Sequence, residues 1–306
     1  MSLMILGTSS NAGKTTIVTG LCRIFSDKGL RTAPFKSQNM SLNAGMINGK
    51  CIAAAQIYQA EAARQNPTEY MNPVLLRPLG CANIEVYLFG ELYTNEEAET
   101  YYDKTGFFLG KALEAYRCLE KENDIIIIEG AGSAAEVNLY DKDIANVLLA
   151  RELQLPIILV ADIERGGVFA QVYGTVALLP EDIRKNVKGI IINKFRGNAA
   201  LFAEGKTILE KLTGVPVLGI VPYLELHLPE EDSLSEHAEH TAETTEERDA
   251  EYNKLAAHLA AYVDMDTVFK IAGVSCSFKQ SQLSCTDSRT FSQELTPASS
   301  KANHNF

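Results

Sequence analysis

No apolar run in this 306-residue sequence reaches the roughly 18 residues that a bilayer span requires. The amino terminus lacks the basic n-region and small-residue cleavage site of a secretory signal. The six cysteines, Cys22, Cys51, Cys81, Cys118, Cys276 and Cys285, are scattered and form no C-x-x-C pair. That excludes a zinc ribbon or a disulfide framework and fits reduced thiols in a cytoplasmic setting. Basic charge is also scarce, with 28 Lys and Arg against 39 Asp and Glu and a net charge of -11. A chain this acidic binds nucleic acid poorly, so neither nucleic acid nor membrane is expected as a partner. Much of the acidity lies between Glu225 and Glu251, a stretch rich in Glu and Thr and poor in large apolar residues. It reads as a solvated linker over 225–251. His237 and His240 sit in it as His-x-x-His, and with nothing apolar to hold them they read as solvated residues, not as a metal pair.

The residue content is otherwise that of a core-forming chain, 46% hydrophobic and ample for a large core. Near its start the apolar run Leu3-Met4-Ile5-Leu6 leads into Gly7-Thr8-Ser9-Ser10-Asn11-Ala12-Gly13-Lys14-Thr15-Thr16, and an amphipathic run from Ile17 to Phe25 follows. Strand, glycine loop, Gly-Lys-Thr and helix together make a phosphate-binding loop in its proper context. Loop N–H groups and the positive end of the helix would cradle phosphates. Lys14 would reach the β- and γ-phosphates and Thr15 would hold Mg²⁺. The loop carries one residue more between its glycines than the common form.

Short apolar runs then alternate with longer helical patterns. Strands are expected at Leu3–Gly7, Arg31–Lys36, Asp124–Glu129, Pro156–Ile163, Gly189–Asn193 and Val217–Pro222. Helices are expected at Thr15–Lys28, Ile52–Arg64, Glu96–Glu122, Asp143–Leu153, Val168–Leu179 and Leu201–Thr213, and Ile84–Tyr93 reads as an edge hairpin or strand. Continuous branched runs such as Ile125-Ile126-Ile127-Ile128 suit strands covered on both faces. The alternation is that of an α/β fold with a doubly wound, mostly parallel sheet.

In such sheets ligands bind beyond the carboxyl ends of strands. After the second expected strand comes Lys36-Ser37-Gln38-Asn39-Met40-Ser41-Leu42-Asn43, which fits either an ordinary polar loop or a site for phosphate and a polar substrate. Glu129 ends a buried strand, where a carboxylate is costly unless it meets a cation such as Mg²⁺; capping the next helix is the alternative. Asp162 follows the same logic, and Gly166-Gly167 before a helical pattern offers another anion-binding helix end. Asn193-Lys194 fits a purine-reading turn or a plain strand terminus.

Several stretches together resemble the amino-terminal half of cobyric acid synthases. They are Gly7–Lys14, Ala33–Met40, Gln59–Ala62, Met71–Pro78, Ile128–Ser133, Asp162–Ala170 and Ile191–Gly197, in order over roughly residues 1–235. The longer phosphate loop is also the form of the related dethiobiotin synthetases. The resemblance implies a P-loop NTPase fold of the dethiobiotin-synthetase-like kind. It implies ATP-dependent amidation of peripheral carboxylates of a corrinoid, adenosylcobyrinic acid a,c-diamide to cobyric acid, through acyl phosphates and with Mg²⁺. Catalysis would fall to Lys14, Lys36 and Asp162. Nucleotide binding would fall to Gly7, Thr8, Asn11, Ala12, Gly13, Lys14, Thr15, Thr16 and Asn193. Thr15 and Glu129 would be metal ligands, and Gln38, Asn39, Asn43 and Arg165 would face the corrinoid.

The resemblance fades near Leu255–Ala272, and Gly273–Phe306 is rich in Ser, Thr, Gln and Asn. Cys276 and Cys285 lie there without a G-x-C-x-G elbow, so no glutaminase is expected in this chain, and ammonia, free or from a separate glutaminase, would be the nitrogen donor. The expected organisation is an ATP-binding amidoligase domain over 1–224, the acidic linker, a helical segment over 252–272 and a disordered tail over 273–306. Another ligase on the same scaffold, or a non-catalytic nucleotide-binding remnant, remains open. A nucleotide-switched partitioning protein is disfavoured, because Thr8 stands where such proteins carry an early lysine.

Overall fold

A computed structural model describes residues 1–80, 83–197, 202–226 and 244–275. The strands are β1 (Ser2–Gly7), β2 (Thr32–Phe35), β3 (Gln38–Met40), β4 (Ala44–Ile47), β5 (Lys50–Ala53), β6 (Val74–Gly80), β7 (Asn83–Leu88), β8 (Glu91–Glu97), β9 (Ile125–Glu129), β10 (Ile157–Asp162), β11 (Val187–Phe195) and β12 (Val217–Pro222). The helices are α1 (Lys14–Asp27), α2 (Ala54–Ala62), α3 (Ala98–Asp103), α4 (Thr105–Glu122), α5 (Val147–Leu153), α6 (Val168–Leu178), α7 (Glu181–Arg184), α8 (Ala203–Thr213), α9 (Thr245–Tyr262) and α10 (Met265–Ile271).

Six strands form one sheet in the order β12-β11-β10-β1-β9-β2, and every pairing in it is parallel. Each residue of β9 and β10 is buried, because helices cover both faces. Alternation along the strands divides the core in two. Met4, Leu6, Ile126, Ile128, Ile157 and Leu159 turn towards the face covered by α4, α5 and α6. Leu3, Ile5, Ile125, Ile127, Ile158 and Val160 turn towards α1, α9 and α10. Parallel pairing brings all six carboxyl ends to one edge, so the loops after β1, β2, β9, β10 and β11 meet there.

The six expected main-sheet strands are found within one or two residues of their expected ends. The departures have local causes. Ile84–Tyr93 falls in a hairpin, but β7 and β8 belong to a second sheet, β3-β6-β7-β8. The helix expected from Ile52 begins at Ala54, because Ile52 and Ala53 complete β5, paired with β4. The β4–β5 turn has Asn48 at φ 51 and Gly49 at φ 80, the left-handed pair that a tight hairpin requires. The long helix expected over Glu96–Glu122 is split. β8 continues to Glu97, a short helix follows, and α4 restarts after Lys104, whose ammonium pairs with Glu96. The stretch expected as linker up to 251 becomes helical at Thr245. Thr244 and Glu247 form a reciprocal capping box there, satisfying two otherwise orphaned N–H groups. Tyr252, Leu255, Ala256 and Leu259 then give α9 a buried stripe against α1. The remainder of the expected linker, with His237 and His240, and residues 276–306, with Cys276 and Cys285, lie outside the described residues. Among the described residues no helix is long and apolar enough to cross a membrane, and Cys22, Cys51 and Cys118 are free thiols.

Candidate functional site

The loop after β1 turns through two left-handed residues, Asn11 at φ 58 and Gly13 at φ 95. Gly13 is the N-cap of α1. A Cβ there would fall on the Asn193 side-chain amide, so glycine is required twice, for its φ and for its missing side chain. Lys14 is buried, and its ammonium curls back to donate to Ser9 O at 3.2 Å and Gly132 O at 2.9 Å. It therefore joins the phosphate loop to the loop after β9. That second loop is anchored by Ala134 N donating to Gly7 O and by Asn146, which donates to Ala131 O and accepts from Ala131 N. Asn146 is itself held by Asp143, whose carboxyl burial pushes above its ordinary range against the hydrogen bonds from Asn146.

Register explains the centre of the site. Phe35 of β2 pairs with Ile128 of β9, so the next residues, Lys36 and Glu129, emerge side by side. Their side chains form an ion pair at 3.0 Å, with exposures of 3% and 0%. Thr15 Oγ1 donates to the same Glu129 oxygen at 2.9 Å, and Gln59 Nε2 donates to the other. A buried carboxylate is thus met by a cation, a hydroxyl and an amide, as burial demands. Thr15 and Glu129 are hard oxygen donors placed together. They suit a Mg²⁺ ion arriving with nucleotide phosphates, which needs only one or two protein ligands. Among the described residues no group of three or more His, Cys, Asp or Glu could hold a metal alone.

On the other side of β1, Asp162 pairs in register with Asn193. Asp162 Oδ1 accepts from Glu164 N at 2.7 Å, and its other oxygen lies 3.2 Å from Lys194 Nζ. Lys194, at φ 58, donates to Asn11 O at 2.7 Å, and Asn193 Nδ2 donates to Ala12 O at 3.0 Å. Asp162 and Asn193 therefore support the phosphate loop from beneath. Thr8 Oγ1 donates to Gln171 of α6 at 3.4 Å. Thr16 is half-buried in the first turn of α1.

The residues expected on the substrate side are less tightly grouped. Strand alternation sends Gln38 and Asn39 to opposite faces of β3. Gln38 accepts from the Tyr101 hydroxyl at 2.6 Å, and Asn39 is buried and donates to Gln56 at 3.2 Å. Asn43 N donates to Ser41 Oγ, and Asn43 O receives Ala54 N at the start of α2. Arg165 is exposed in the loop after β10. Sequence reasoning missed Gln56, Gln59, Asn146, Gln171 and the role of Lys194. Gln59 lay within a family-like stretch, but only the fold brings its side chain to Glu129.

Known proteins resemble this chain over about three quarters of its length. A family model described as the CobQ/CobB/MinD/ParA nucleotide binding domain matches residues 3–234. A probable cobyric acid synthase of Methanosphaerula palustris is 59% identical over 236 residues, covering 77% of this chain and 48% of that protein. One from Methanosarcina barkeri is 51% identical over 261 residues, 85% of this chain and 52% of that protein. A cobyric acid synthase of Salmonella heidelberg is 52% identical over 235 residues, 76% of this chain and 46% of that protein. The chain spans about half the length of the curated relatives it matches.

Proposed function

The chain belongs to the family of CobQ/CobB/MinD/ParA nucleotide-binding domains, and from that membership we propose that it is an ATP-dependent carbon–nitrogen ligase that amidates peripheral carboxylates of a corrinoid. Residues 1–224, with α9 and α10 packed on one face of their sheet, form its amidoligase domain. The observation that carries this reading is the meeting of Lys14, Thr15, Lys36 and Glu129 at one edge of the sheet. The substrate, adenosylcobyrinic acid a,c-diamide, and the product, cobyric acid, are what the resemblance to cobyric acid synthases implies, and the identity to proteins of that name supports the reading.

A carboxylate resists an amine because oxide is too poor a leaving group. Phosphorylation removes that obstacle. A carboxylate oxygen attacks the γ-phosphorus of ATP, the bond to the ADP oxygen breaks, and an acyl phosphate forms. Ammonia then attacks the acyl carbon, phosphate leaves, and the surplus proton passes to solvent. The protein's contribution is position and charge neutralisation. Gly7, Thr8, Asn11, Ala12, Gly13 and Thr16 shape the cradle for the phosphates. Lys14 neutralises them, and Lys36 is a second cation kept in the site by Glu129. Thr15 and Glu129 would hold Mg²⁺, which supplies charge neutralisation at the phosphate oxygens when bound. Asp162 sets Lys194 against the loop. Asn193 gives its NH₂ to Ala12 and keeps its carbonyl oxygen for a purine amino group. Gln38, Asn43 and Arg165 form the corrinoid side, and Asn39, expected there from the sequence, is turned inward onto Gln56 and stands behind them.

The test is incubation of the chain with ATP, Mg²⁺, ammonium and adenosylcobyrinic acid a,c-diamide, followed by mass spectrometry. The expected result is a ladder of products, each with one more hydroxyl replaced by an amino group, and one ADP formed per step. ADP formation without a mass change in the corrinoid refutes the substrate. No ADP at all refutes the ligase.

A further inference from the structure

Behind Glu129 a file of buried amides leads away from the nucleotide side. Gln59 Nε2 donates to Glu129 Oε2, Gln56 Nε2 donates to Gln59 Oε1 at 3.3 Å, and Asn39 Nδ2 donates to Gln56 Oε1 at 3.2 Å. Gln56 and Gln59 are fully buried, and Asn39 is 3% exposed. Gln56 and Gln59 stand three residues apart on α2, and so on one face of it. Asn39 lies at the middle of β3, in the polar segment that follows Lys36.

The direction of this file is dictated by chemistry. A carboxylate only accepts, so Gln59 must turn its NH₂ towards Glu129. Its carbonyl then faces Gln56, which must answer with its own NH₂, and Asn39 must do the same in turn. The charge on Glu129 therefore sets the orientation of three side chains and ends on the strand of the substrate side. An apolar side chain at 59 would strip Glu129 of a donor, and the hydrogen-bonded amides at 56 and 39 carry that requirement on to β3, where packing alone does not call for them.

We propose that Asn39, Gln56 and Gln59 are positioning residues that couple the substrate side, at β3, to the carboxylate of the nucleotide side, so that seating of Mg²⁺·ATP and of the acceptor reinforce one another. The identity of the acceptor rests on the function proposed above. Loss of the Gln56 amide leaves the Gln59 carbonyl without a donor. Gln59 still turns its NH₂ towards Glu129, but with its buried carbonyl unmet the side chain is no longer held in one place, and Glu129 loses its fixed direction. The coupling is reciprocal, as any binding linkage must be.

The test is Gln56→Met in the full chain, which keeps length and apolar bulk and removes the hydrogen bonds. ATP binding is measured by calorimetry across a Mg²⁺ titration, first without corrinoid. The Mg²⁺ concentration for half-saturation rises roughly tenfold, the scale for losing the partner that orients a metal ligand. Affinity for ATP without Mg²⁺ stays within about twofold, since the phosphate loop is untouched. With adenosylcobyrinic acid a,c-diamide present, Mg²⁺·ATP binding tightens several-fold in the wild type and hardly at all in the variant. Equal weakening with and without Mg²⁺, or no change in either, overturns the relay. Where Gln56→Met fails to fold, Asn39→Leu at the far end must show the same split, and its absence there overturns the proposal equally. A wild-type protein indifferent to the corrinoid refutes the acceptor, and the Mg²⁺ split then upholds or overturns the relay alone.

Discussion

Replacing Glu129 by Gln preserves size and removes one charge from the centre of the site. The native carboxylate is fully buried and receives Thr15, Lys36 and Gln59. Taking one partner out of a buried ion pair costs about 3–5 kcal/mol, because the remaining charge stays desolvated. The new amide also turns its NH₂ towards one of three donors, a conflict worth about 1–3 kcal/mol on its own. These costs share one relaxation and do not add, so the expected loss is about 3–5 kcal/mol. In a domain of this size each kcal/mol lowers the thermal midpoint by about 2–4 °C, which gives a fall of roughly 6–20 °C. The assay is thermal and urea unfolding followed by circular dichroism, without nucleotide, for the wild type, Glu129→Gln, Lys36→Met and the double variant. Removing both members of the pair restores most of the loss, so the cycle returns a coupling of several kcal/mol. A Glu129→Gln loss under about 1 kcal/mol, or singles that add to within about 0.5 kcal/mol, refutes the buried pair as the organiser of the site. The same variant raises the Mg²⁺ needed for turnover far more than it weakens nucleotide docking, and unchanged activity at saturating Mg²⁺ makes Glu129 a structural residue only.

Lys14→Ala removes about 3–4 kcal/mol of transition-state stabilisation while circular dichroism stays native, and undiminished amidation excludes Lys14 as a phosphoryl clamp. Gly13→Ala meets both a positive φ and the Asn193 amide; it abolishes ATP binding and costs about 1–3 kcal/mol in stability, and a variant that binds ATP normally contradicts the loop geometry. The Asp249 carboxyl is held below its ordinary value by Arg23, whose side chain is fully buried. A depressed carboxyl contributes stability above its unfolded value and loses it as acid protonates it, so unfolding measured from pH 5 downwards shows α9 loosening in acid. Asp249→Asn flattens that dependence, and an unaltered acid profile rejects the Arg23–Asp249 anchor. With ammonium as donor, the amidation rate climbs with pH below ammonia's own pKa, because only the free base attacks; a flat profile places another step in control.

Much of the fold was legible because its signals are local. Ile125–Ile128 and Ile157–Val160 are too uniformly apolar for half-exposed strands, and each lies in the parallel sheet with both faces covered. The phosphate loop was legible because a glycine turn, a lysine and a hydroxyl need only their immediate neighbours. Asn48-Gly49 and the Thr244–Glu247 box were equally local signals, and either could have corrected the ends assigned to the helix at Ile52 and to the acidic linker. The second sheet was not legible in that way. β3 has three residues and pairs with β6 across more than thirty positions, so its existence depends on a partner that no window around it contains.

The sequence by itself determined which chemistry the chain could carry, since Lys36 follows a strand, Glu129, Asp162 and Asn193 lie at or near the carboxyl ends of strands, and Lys14 and Thr15 begin a helix. Tertiary structure decided how they divide. Parallel register set Lys36 beside Glu129 and Asp162 beside Asn193, and so made one pair the charged centre and the other the support of the loop. It also turned Asn39 inward, away from the face to which Gln38 points. Only the docking of α2 against α1 and β2 made Gln56 and Gln59 part of the site. The reason is physical: a buried polar side chain must find its partner across the core, and which partner that is depends on the packing of distant segments.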